Sequence, residues 1–456
     1  MVLRYSLDIA VTGPKPSKYH FTISQNTMSN NNYPQIENSK VKMQKLKLQS
    51  KIQNWREVKL KDIGKIITGK TPSTFDSSNF GGPYPFITIP DLKNQRYIKK
   101  TERTLSEKGA KLMKNLKLPA KVIIVSCLAT VGESGITVRE SFTNQQINSV
   151  ICDENKIIPE FLYYLFKYIK PRLSKYSGSV YTNISKSKFS DFEILIPKNS
   201  TEQKQIAEIL SAFDDKIELN NKINQNLEQM AQVIFKEWFI KFKFPGYKKI
   251  KFIDSELGKI PRGWKIGCLG DSACSEIIKT GVNKFQDQKI YLATADVDKN
   301  EITNNKTLIN YKSRPSRANM KPILNSIWFA KMINTYKVLF FFEGNRKDLS
   351  KYIFSTGFAG IKALNNFQYF LYLFINSNKF HQIKNTLVQG AVQEATTNEN
   401  IKQIKLIIPP QKIISEFNKK VDVLIKKTYE NKKENQKLTS LRDLLLPKLM
   451  SGEMRV

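Results

Sequence analysis

The sequence predicts an α/β (α+β) fold in which one module occurs twice and a long helix follows each copy. The first observation is an internal repeat, because residues 54–62 recur as residues 263–271 with Trp, Leu and Asp in register. The second is an apolar run ended by proline, residues 192–197, which recurs as residues 404–409 and is typical of a buried strand. The third is a helical period of apolar residues after both prolines. A tandem duplication explains all three.

Two shorter segments keep the same order in both halves and support the duplication. Residues 86–91 correspond to residues 291–296, and residues 178–180 correspond to residues 390–392. Between the matched segments the two copies diverge.

The helices predicted after Pro197 and Pro409 share a seam of side chains with coiled-coil spacing. At about 1.5 Å per residue, some forty residues form a rod of roughly 60 Å, long enough to hold two modules apart. The alternative is an amphipathic helix packed only on its own domain. Two asparagines in each seam favour helix against helix, because a buried asparagine sets register at a cost in stability. The predicted seam comprises Asn220, Asn224 and Leu227 in the first helix and Asn431, Asn435 and Leu438 in the second.

Basic residues outnumber acidic ones in both predicted domains. The chain has 74 Lys and Arg against 40 Asp and Glu, a formal net charge of +34. Residues 51–200 sum to about +12 and residues 263–410 to about +10, whereas residues 201–242 come to about −2. Residues 1–50, with a Ser-Asn-Asn-Asn run, are expected to form a disordered leader. The charge predicts a polyanionic partner, unless it reflects only lysine-rich codon usage.

The cysteine pattern and the absence of targeting signals predict a cytoplasmic protein with no membrane partner. The four cysteines are scattered without a paired framework. No signal peptide and no run of eighteen uncharged apolar residues occurs.

Motifs for catalysis are weak. Residues 64–71 have the spacing of a phosphate-binding loop, but Pro72 follows at once and no helical pattern comes next. The sequence has only two histidines, His20 and His381, which are too few for a histidine-based catalytic triad together with its partners or for a histidine-rich zinc site. No metal site is predicted. Neither a glycine-rich dinucleotide fingerprint nor the Asn-Pro-Pro-aromatic motif of amino-methyltransferases occurs. We therefore expect a chain that is not an enzyme.

Several segments resemble the specificity subunit of type I restriction-modification systems. They are residues 55–62, 68–73, 85–87 with Asp91, 197–207, 213–217 and 446–453, within a resemblance that spans residues 52–456. The resemblance implies two target recognition domains, at residues 51–200 and 263–410, each reading one half of a split DNA site. It also implies two conserved long helices that pack antiparallel as a spacer, at residues 201–245 and 411–456, with a linker at residues 246–262.

The same resemblance implies the partners. Two methylation subunits are expected to dock near the helices, and restriction subunits to join them on double-stranded DNA. S-adenosylmethionine, ATP and Mg²⁺ are expected on those partner subunits, and no cofactor is expected on this chain. The implied function is DNA-sequence specificity without catalysis. Two alternatives stay open: a stand-alone sequence-specific DNA-binding regulator and a phosphate-loop nucleotidase.

Polar and basic residues in predicted loops are the candidates for DNA contact. Lys and Arg neutralise phosphates, whereas Asn, Gln, Arg, Ser and Thr read base edges in the major groove. In the first domain the candidates are Lys70, Thr71, Ser73, Thr74, Ser179, Tyr181, Asn183 and Lys186. In the second domain they are Asn283, Lys284, Lys331, Lys337, Gln389 and Gln393.

Overall fold

The computed structural model describes residues 54–93, 95–176, 183–388 and 394–456. The first domain has strands β1 (Trp55–Lys59), β2 (Gly64–Thr68), β3 (Phe80–Ile87), β4 (Tyr97–Ile98), β5 (Arg103–Leu105), β6 (Ile123–Ser126), β7 (Ser134–Thr137), β8 (Phe142–Thr143), β9 (Ile147–Cys152) and β10 (Glu193–Pro197). Its helices are α1 (Glu107–Leu112), α2 (Pro159–Tyr176) and α3 (Lys186–Ser190), and the long helix α4 (Ser200–Phe235) follows.

The second half begins with a short hairpin inside the predicted linker, β11 (Phe252–Ile253) and β12 (Ile260–Pro261). The second domain has strands β13 (Lys265–Cys268), β14 (Asp271–Ser272), β15 (Ser275–Ile277), β16 (Lys289–Leu292), β17 (Val297–Asp298), β18 (Glu301–Ile302), β19 (Leu308–Ile309), β20 (Ala318–Met320), β21 (Ser326–Ala330), β22 (Val338–Phe341), β23 (Tyr352–Ser355), β24 (Phe358–Ala363) and β25 (Lys405–Ile408). Its helices are α5 (Gln368–Ile375), α6 (Asn378–Thr386) and α7 (Asn398–Lys402), and the long helix α8 (Gln411–Met450) follows.

The sheets repeat between the two domains. The first domain has a five-stranded sheet in the order β2-β9-β6-β7-β4, and the second has a seven-stranded sheet in the order β22-β21-β24-β15-β14-β13-β25. The strands β2-β9-β6-β7 therefore have the same neighbours as β15-β24-β21-β22. The seven-stranded sheet is antiparallel throughout, whereas the five-stranded sheet is mixed because β4 and β7 run parallel.

Local structure repeats as well. The first and last strands of each domain pair antiparallel, β1 with β10 and β13 with β25. Asp91 accepts the backbone N–H of Thr88 at 2.8 Å, and Asp296 accepts that of Ala293 at 2.8 Å. Both aspartates close the same tight turn in the matched segments of the two halves.

Each of the two long helices runs from one domain to the other. Helix α4 starts in the first hydrophobic core with Ile206 and Leu210, and its last turns enter the second core with Ala231 and Phe235. Helix α8 starts in the second core and ends in the first, where Leu449 is buried. Each core thus contains the ends of both helices, which run antiparallel. The predicted architecture of two repeated domains joined by two long antiparallel helices is confirmed.

None of the helices in the described part of the chain is both long and apolar enough to cross a lipid bilayer.

Candidate nucleic-acid interface

One end of the five-stranded sheet gathers several loops of the first domain. Strand β2 ends where β9 begins, since Thr68 pairs with Asn148, and β6 ends at the same level, since Ser126 pairs with Ile147. The loops at residues 69–76, 127–133 and 143–146 therefore meet at this end, where Asn183 also bridges to Leu128. We call these three loops and residues 183–186 the first loop cluster.

The loop after β2 is held against the neighbouring turn by its backbone. Lys70 donates its backbone N–H to the carbonyl oxygen of Thr143 at 3.0 Å. A Cβ atom on Gly69 would lie 2.2 Å from that same oxygen, so glycine is needed for this close approach. The Thr71 hydroxyl donates to Oε1 of Gln145 at 2.6 Å. The side chains of Lys70, Ser73 and Thr74 are exposed, and Thr71 is half-buried.

The backbone conformation of residues 64–76 excludes a phosphate-binding loop at residues 64–71. The segment Gly64–Thr68 is strand β2, paired along its length with β9. A phosphate-binding loop leaves a strand and opens a helix, whereas residues 69–76 lead only to a short 3₁₀ turn, Ser77–Asn79. The glycines of residues 64–71 serve strand pairing and loop packing.

Two further residues of the first loop cluster were not among the predicted contacts. The Phe75 side chain is fully exposed, and Gln145 is exposed next to Thr71. An apolar residue inside the polar run at residues 72–78 was the available signal for Phe75. The pairing of Thr71 with Gln145 depends on strand order and had no signal in the sequence.

The equivalent end of the second domain gathers a matching set of loops. Strand β15 runs toward the start of β24, with Ile277 paired to Ile361, and β21 ends beside that start, since Ala330 pairs with Phe358. The loops at residues 278–288 and 331–337 therefore lie at one end, joined there by residues 394–396 through the bridge between Met332 and Ala395. We call these three segments the second loop cluster.

The predicted contacts of the second domain divide into exposed and tethered residues. Asn283 and Lys284 are exposed in the loop after β15. Lys337 is half-buried and donates from its ammonium group to the carbonyl oxygen of Thr294 at 2.7 Å. Burial lowers the pKa of Lys331. Lys331 and Lys337 thus have part of their side chains inside the domain.

Two of the remaining candidates lie in the first loop cluster. Asn183 and Lys186 are exposed in the first loop cluster. Ser179, Tyr181, Gln389 and Gln393 lie outside the described residues.

The four predicted seam asparagines meet between α4 and α8. Asn431 donates to Oδ1 of Asn224 at 2.9 Å, and Asn220 donates to Oδ1 of Asn435 at 2.9 Å. The two pairs are related by the internal repeat, because Asn220 corresponds to Asn431 and Asn224 to Asn435 at an offset of 211. Leu227 and Leu438 are half-buried in the same helices. The helix pair therefore has a pseudo-twofold axis through this polar centre.

A buried polar network fixes the first domain to the helix pair. Arg96 donates to the Tyr164 hydroxyl at 3.2 Å and also pairs with Asp215 of α4. The Tyr164 hydroxyl donates to Oδ2 of Asp214 at 2.7 Å, and Arg442 of α8 lies 2.5 Å from the other carboxylate oxygen. Burial raises the pKa of Tyr164, so its hydroxyl stays a donor at neutral pH. One domain and both helices thus share one hydrogen-bonded network.

Known proteins match both the sequence and this arrangement. Residues 52–229 match the family described as type I restriction modification DNA specificity domain. The MjaIX type I restriction enzyme specificity subunit of Methanocaldococcus jannaschii is 32% identical over 424 residues, which cover 88% of this chain and 94% of the relative. The chain belongs to the type I restriction enzyme specificity subunits. The HindI specificity subunit of Haemophilus influenzae is 38% identical over 187 residues, 40% of each chain.

A solved specificity subunit has the same fold. The crystal structure of the type I restriction-modification S subunit from M. genitalium superposes with a TM-score of 0.53 at 17% sequence identity, covering 87% of this chain and 96% of that one. In our chain, the described residues that were predicted to contact DNA and are exposed lie in the two loop clusters rather than in the frame of strands and helices.

Proposed function

We propose that this chain gives a type I restriction-modification complex its DNA sequence specificity, each domain recognising one half of a bipartite site. The observation that carries the proposal is the position of the two loop clusters at equivalent ends of two repeated domains, joined by one antiparallel helix pair. Helix α8 has 40 residues and is about 60 Å long. A rigid pair of this kind keeps the two half-sites at one spacing.

Within each half-site, positioning and recognition are separate tasks. Exposed lysines such as Lys70 and Lys284 neutralise phosphates and make binding salt-dependent. Side chains such as Gln145, Asn183 and Asn283 present amide groups that match base edges in the major groove. The proposed role needs no reacting group on this chain, and it places the protein with DNA in the cytoplasm.

We infer that two methylation subunits dock on the helix pair, because four of its exposed apolar residues form two equivalent patches. Met230 and Val233 of α4 correspond to Leu441 and Leu444 of α8 at the offset of 211. All four side chains are between 48% and 59% exposed. Two patches related by the pseudo-twofold axis fit two copies of one partner. S-adenosylmethionine would bind to these methylation subunits, and ATP and Mg²⁺ to restriction subunits that join them.

Domain exchange tests the DNA-recognition part. The methylome of cells expressing this chain with its methylation subunit is compared with that of cells in which residues 51–200 are replaced by another recognition module. A split motif that changes in one half only is expected. If no split motif appears with a competent methylation subunit, or the exchange changes nothing, a stand-alone regulator becomes the better explanation.

Stoichiometry tests the docking part. The double substitution Met230→Glu with Val233→Glu is expected to reduce the complex from two methylation subunits to one in native mass spectrometry. The equivalent substitution at Leu441 and Leu444 is expected to remove the other copy. Gln225→Glu with Asn226→Glu, two exposed changes on α4 that add the same two negative charges, is the control. Two bound copies in both double variants would place docking elsewhere.

A further inference from the structure

Helix α6 directs three side chains from one face toward a single exposed hairpin loop. His381, Lys384 and Asn385 are spaced three and four residues apart, so they share a helix face. Each contacts the loop at residues 331–337 or its first strand. We propose that this loop reads bases of the second half-site, and that Lys384 is the positioning residue that sets its conformation. The inference rests on the proposed function.

Lys384 is a fully buried cation whose partners are backbone carbonyls. Its ammonium group donates to the carbonyl oxygens of Ala330 at 3.1 Å, Met332 at 2.8 Å and Thr335 at 2.9 Å. Burying an ammonium group is costly unless its hydrogens are all bonded, and here three carbonyls of one turn receive them. An apolar side chain at this position would remove the ammonium donor from all three carbonyls, although that of Met332 also accepts from the Thr335 hydroxyl. The lysine therefore sets the course of the turn.

The groups that face Lys384 are otherwise uncharged. From the hairpin it meets the three carbonyls and the Thr335 hydroxyl, 3.4 Å away. From its own helix the titratable neighbour is His381, whose pKa is lowered to about 4 by burial and by the charge of Lys384. Burial lowers the pKa of Lys384 to about 8, so at neutral pH the ammonium form persists. The positive charge is thus balanced by loop dipoles.

Two further contacts fix the tip of the loop. Asn334 donates its backbone N–H to Oδ1 of Asn385 at 3.2 Å, and Asn385 donates to Oδ1 of Asn334 at 3.1 Å. Asn334 has a φ of 56°, in the left-handed region where asparagine is enriched. The Tyr336 ring packs on His381 with centroids 4.6 Å apart. A loop held at this many points is ordered before any ligand binds.

The outward face of this ordered loop is unlike a surface built only for solubility. Met332 is 45% exposed and Tyr336 51% exposed, and the exposed Asn334 lies between them. Met and Tyr offer apolar contact to a thymine methyl group, and the Asn334 amide can donate to a purine acceptor. Asn334 and Tyr336 are exposed although each also contacts α6, so all three side chains are accessible to a ligand. That chemistry fits a base-pair edge in the major groove.

The first domain holds the matching hairpin in the same place by other means. Ile184 donates its backbone N–H to Cys127 at 2.9 Å, as Thr396 does to Lys331 at 3.0 Å. Helix α2 supports this hairpin through Lys170, which pairs with Glu133 at 2.6 Å, and through Ser174, which donates to the carbonyl oxygen of Val131 at 3.1 Å. Both domains thus fix the same hairpin to a helix with different side chains. A fixed hairpin with a changed sequence suits two modules that read different bases.

The test measures base discrimination separately in the two half-sites. The complex with its methylation subunits methylates a panel of duplexes, each with one base pair substituted in one half of the wild-type motif. Asn334→Ala and Tyr336→Ala are expected to lower discrimination about tenfold at one or two positions of the second half only. Lys384→Met is expected to lower it at the same positions. Lys379→Ala, which removes an exposed charge from the same helix, is the control.

The outcomes separate this inference from the proposed function. The reading role of the loop is overturned if Asn334→Ala and Tyr336→Ala both discriminate between bases as well as the Lys379→Ala control does. This outcome holds even if Lys384→Met fails to fold. Unchanged discrimination in a folded Lys384→Met complex overturns the positioning role. Losses spread equally over both half-sites also count against the inference. If the wild-type chain yields no bipartite motif, the proposed function fails and this inference fails with it.

Discussion

Replacement of Arg442 by alanine tests how the first domain is attached to the helix pair. The guanidinium group lies 2.5 Å from a carboxylate oxygen of Asp214, and the two side chains are 16% and 9% exposed. Removing one partner of a buried ion pair leaves an uncompensated charge and costs about 3–5 kcal/mol. Asp214 keeps the hydrogen bond from Tyr164, so we expect a loss at the lower end, about 3 kcal/mol.

The second half of the molecule supplies the matching replacement. At the offset of 211, Asp214 corresponds to Ile425 and Arg442 to Ala231, and both of these residues line a cavity of about 30 Å³ beside α5. The double variant Asp214→Ile with Arg442→Ala therefore transfers the apolar pair of one half into the other. We expect it to be about 1–2 kcal/mol more stable than the sum of the single changes predicts, because no charge is left buried alone.

The assay is urea unfolding of the full chain followed by tryptophan fluorescence, with hydrogen exchange on α2 and α4 to locate the change. Arg139→Ala, an exposed position in the first domain, is the control and should lie within about 0.5 kcal/mol of wild type. If Arg442→Ala is no less stable than this control, the network does not anchor the domain. A double variant equal to the sum of its singles would show that the two charges are not coupled.

Three further changes test the helix seam, the buried lysine and the phosphate contacts. Replacing Asn224 and Asn431 together by leucine should raise the free energy of unfolding by about 1 kcal/mol, and with it the urea midpoint, because a buried amide pair becomes apolar. A lower midpoint would contradict this. For Lys384 the folded pKa of about 8 lies below the ordinary value of 10.5, so the unfolded chain binds more protons between these values. Stability of the second domain should therefore rise with pH from 8 to 10.5, by up to about 3 kcal/mol relative to Lys384→Met, and parallel profiles would show that burial does not lower the pKa of Lys384. Lys70→Ala should lower the salt dependence of DNA binding by about one unit without changing thermal stability, and an unchanged slope would remove Lys70 from the phosphate contacts.

Periodic and repeated features of the sequence were sufficient to predict the frame. A helical seam recurs every three or four residues, and a duplicated chain shows each frame element twice, as with Trp55 and Trp264. These signals are local or repeated, so they survive without knowledge of the tertiary structure. The structure accordingly pairs the four seam asparagines across α4 and α8.

The composition of the loop clusters could not be predicted, because it depends on strand order. Thr68 and Asn148 are 80 residues apart in sequence, and only the pairing of β2 with β9 brings their loops together. The contact of Gln145 with Thr71 had no signal in the sequence for this reason. Lys384 looked like any other lysine on an amphipathic helix, since the carbonyls that surround it belong to a hairpin about fifty residues earlier.

The pseudo-twofold axis separates the residues that maintain the frame from those that determine specificity. Features that recur with the same residue types serve both halves equally, such as the seam asparagines and the capping aspartates Asp91 and Asp296. The side chains that support the hairpins recur in position but differ in chemistry. In the first half Glu133 pairs with a lysine, and in the second half backbone carbonyls surround Lys384. A module that must keep its place in a complex while reading a different half-site needs this division. The repeated positions with unlike residues are therefore where exchange of side chains should change the DNA sequence that is read, with the assembly intact.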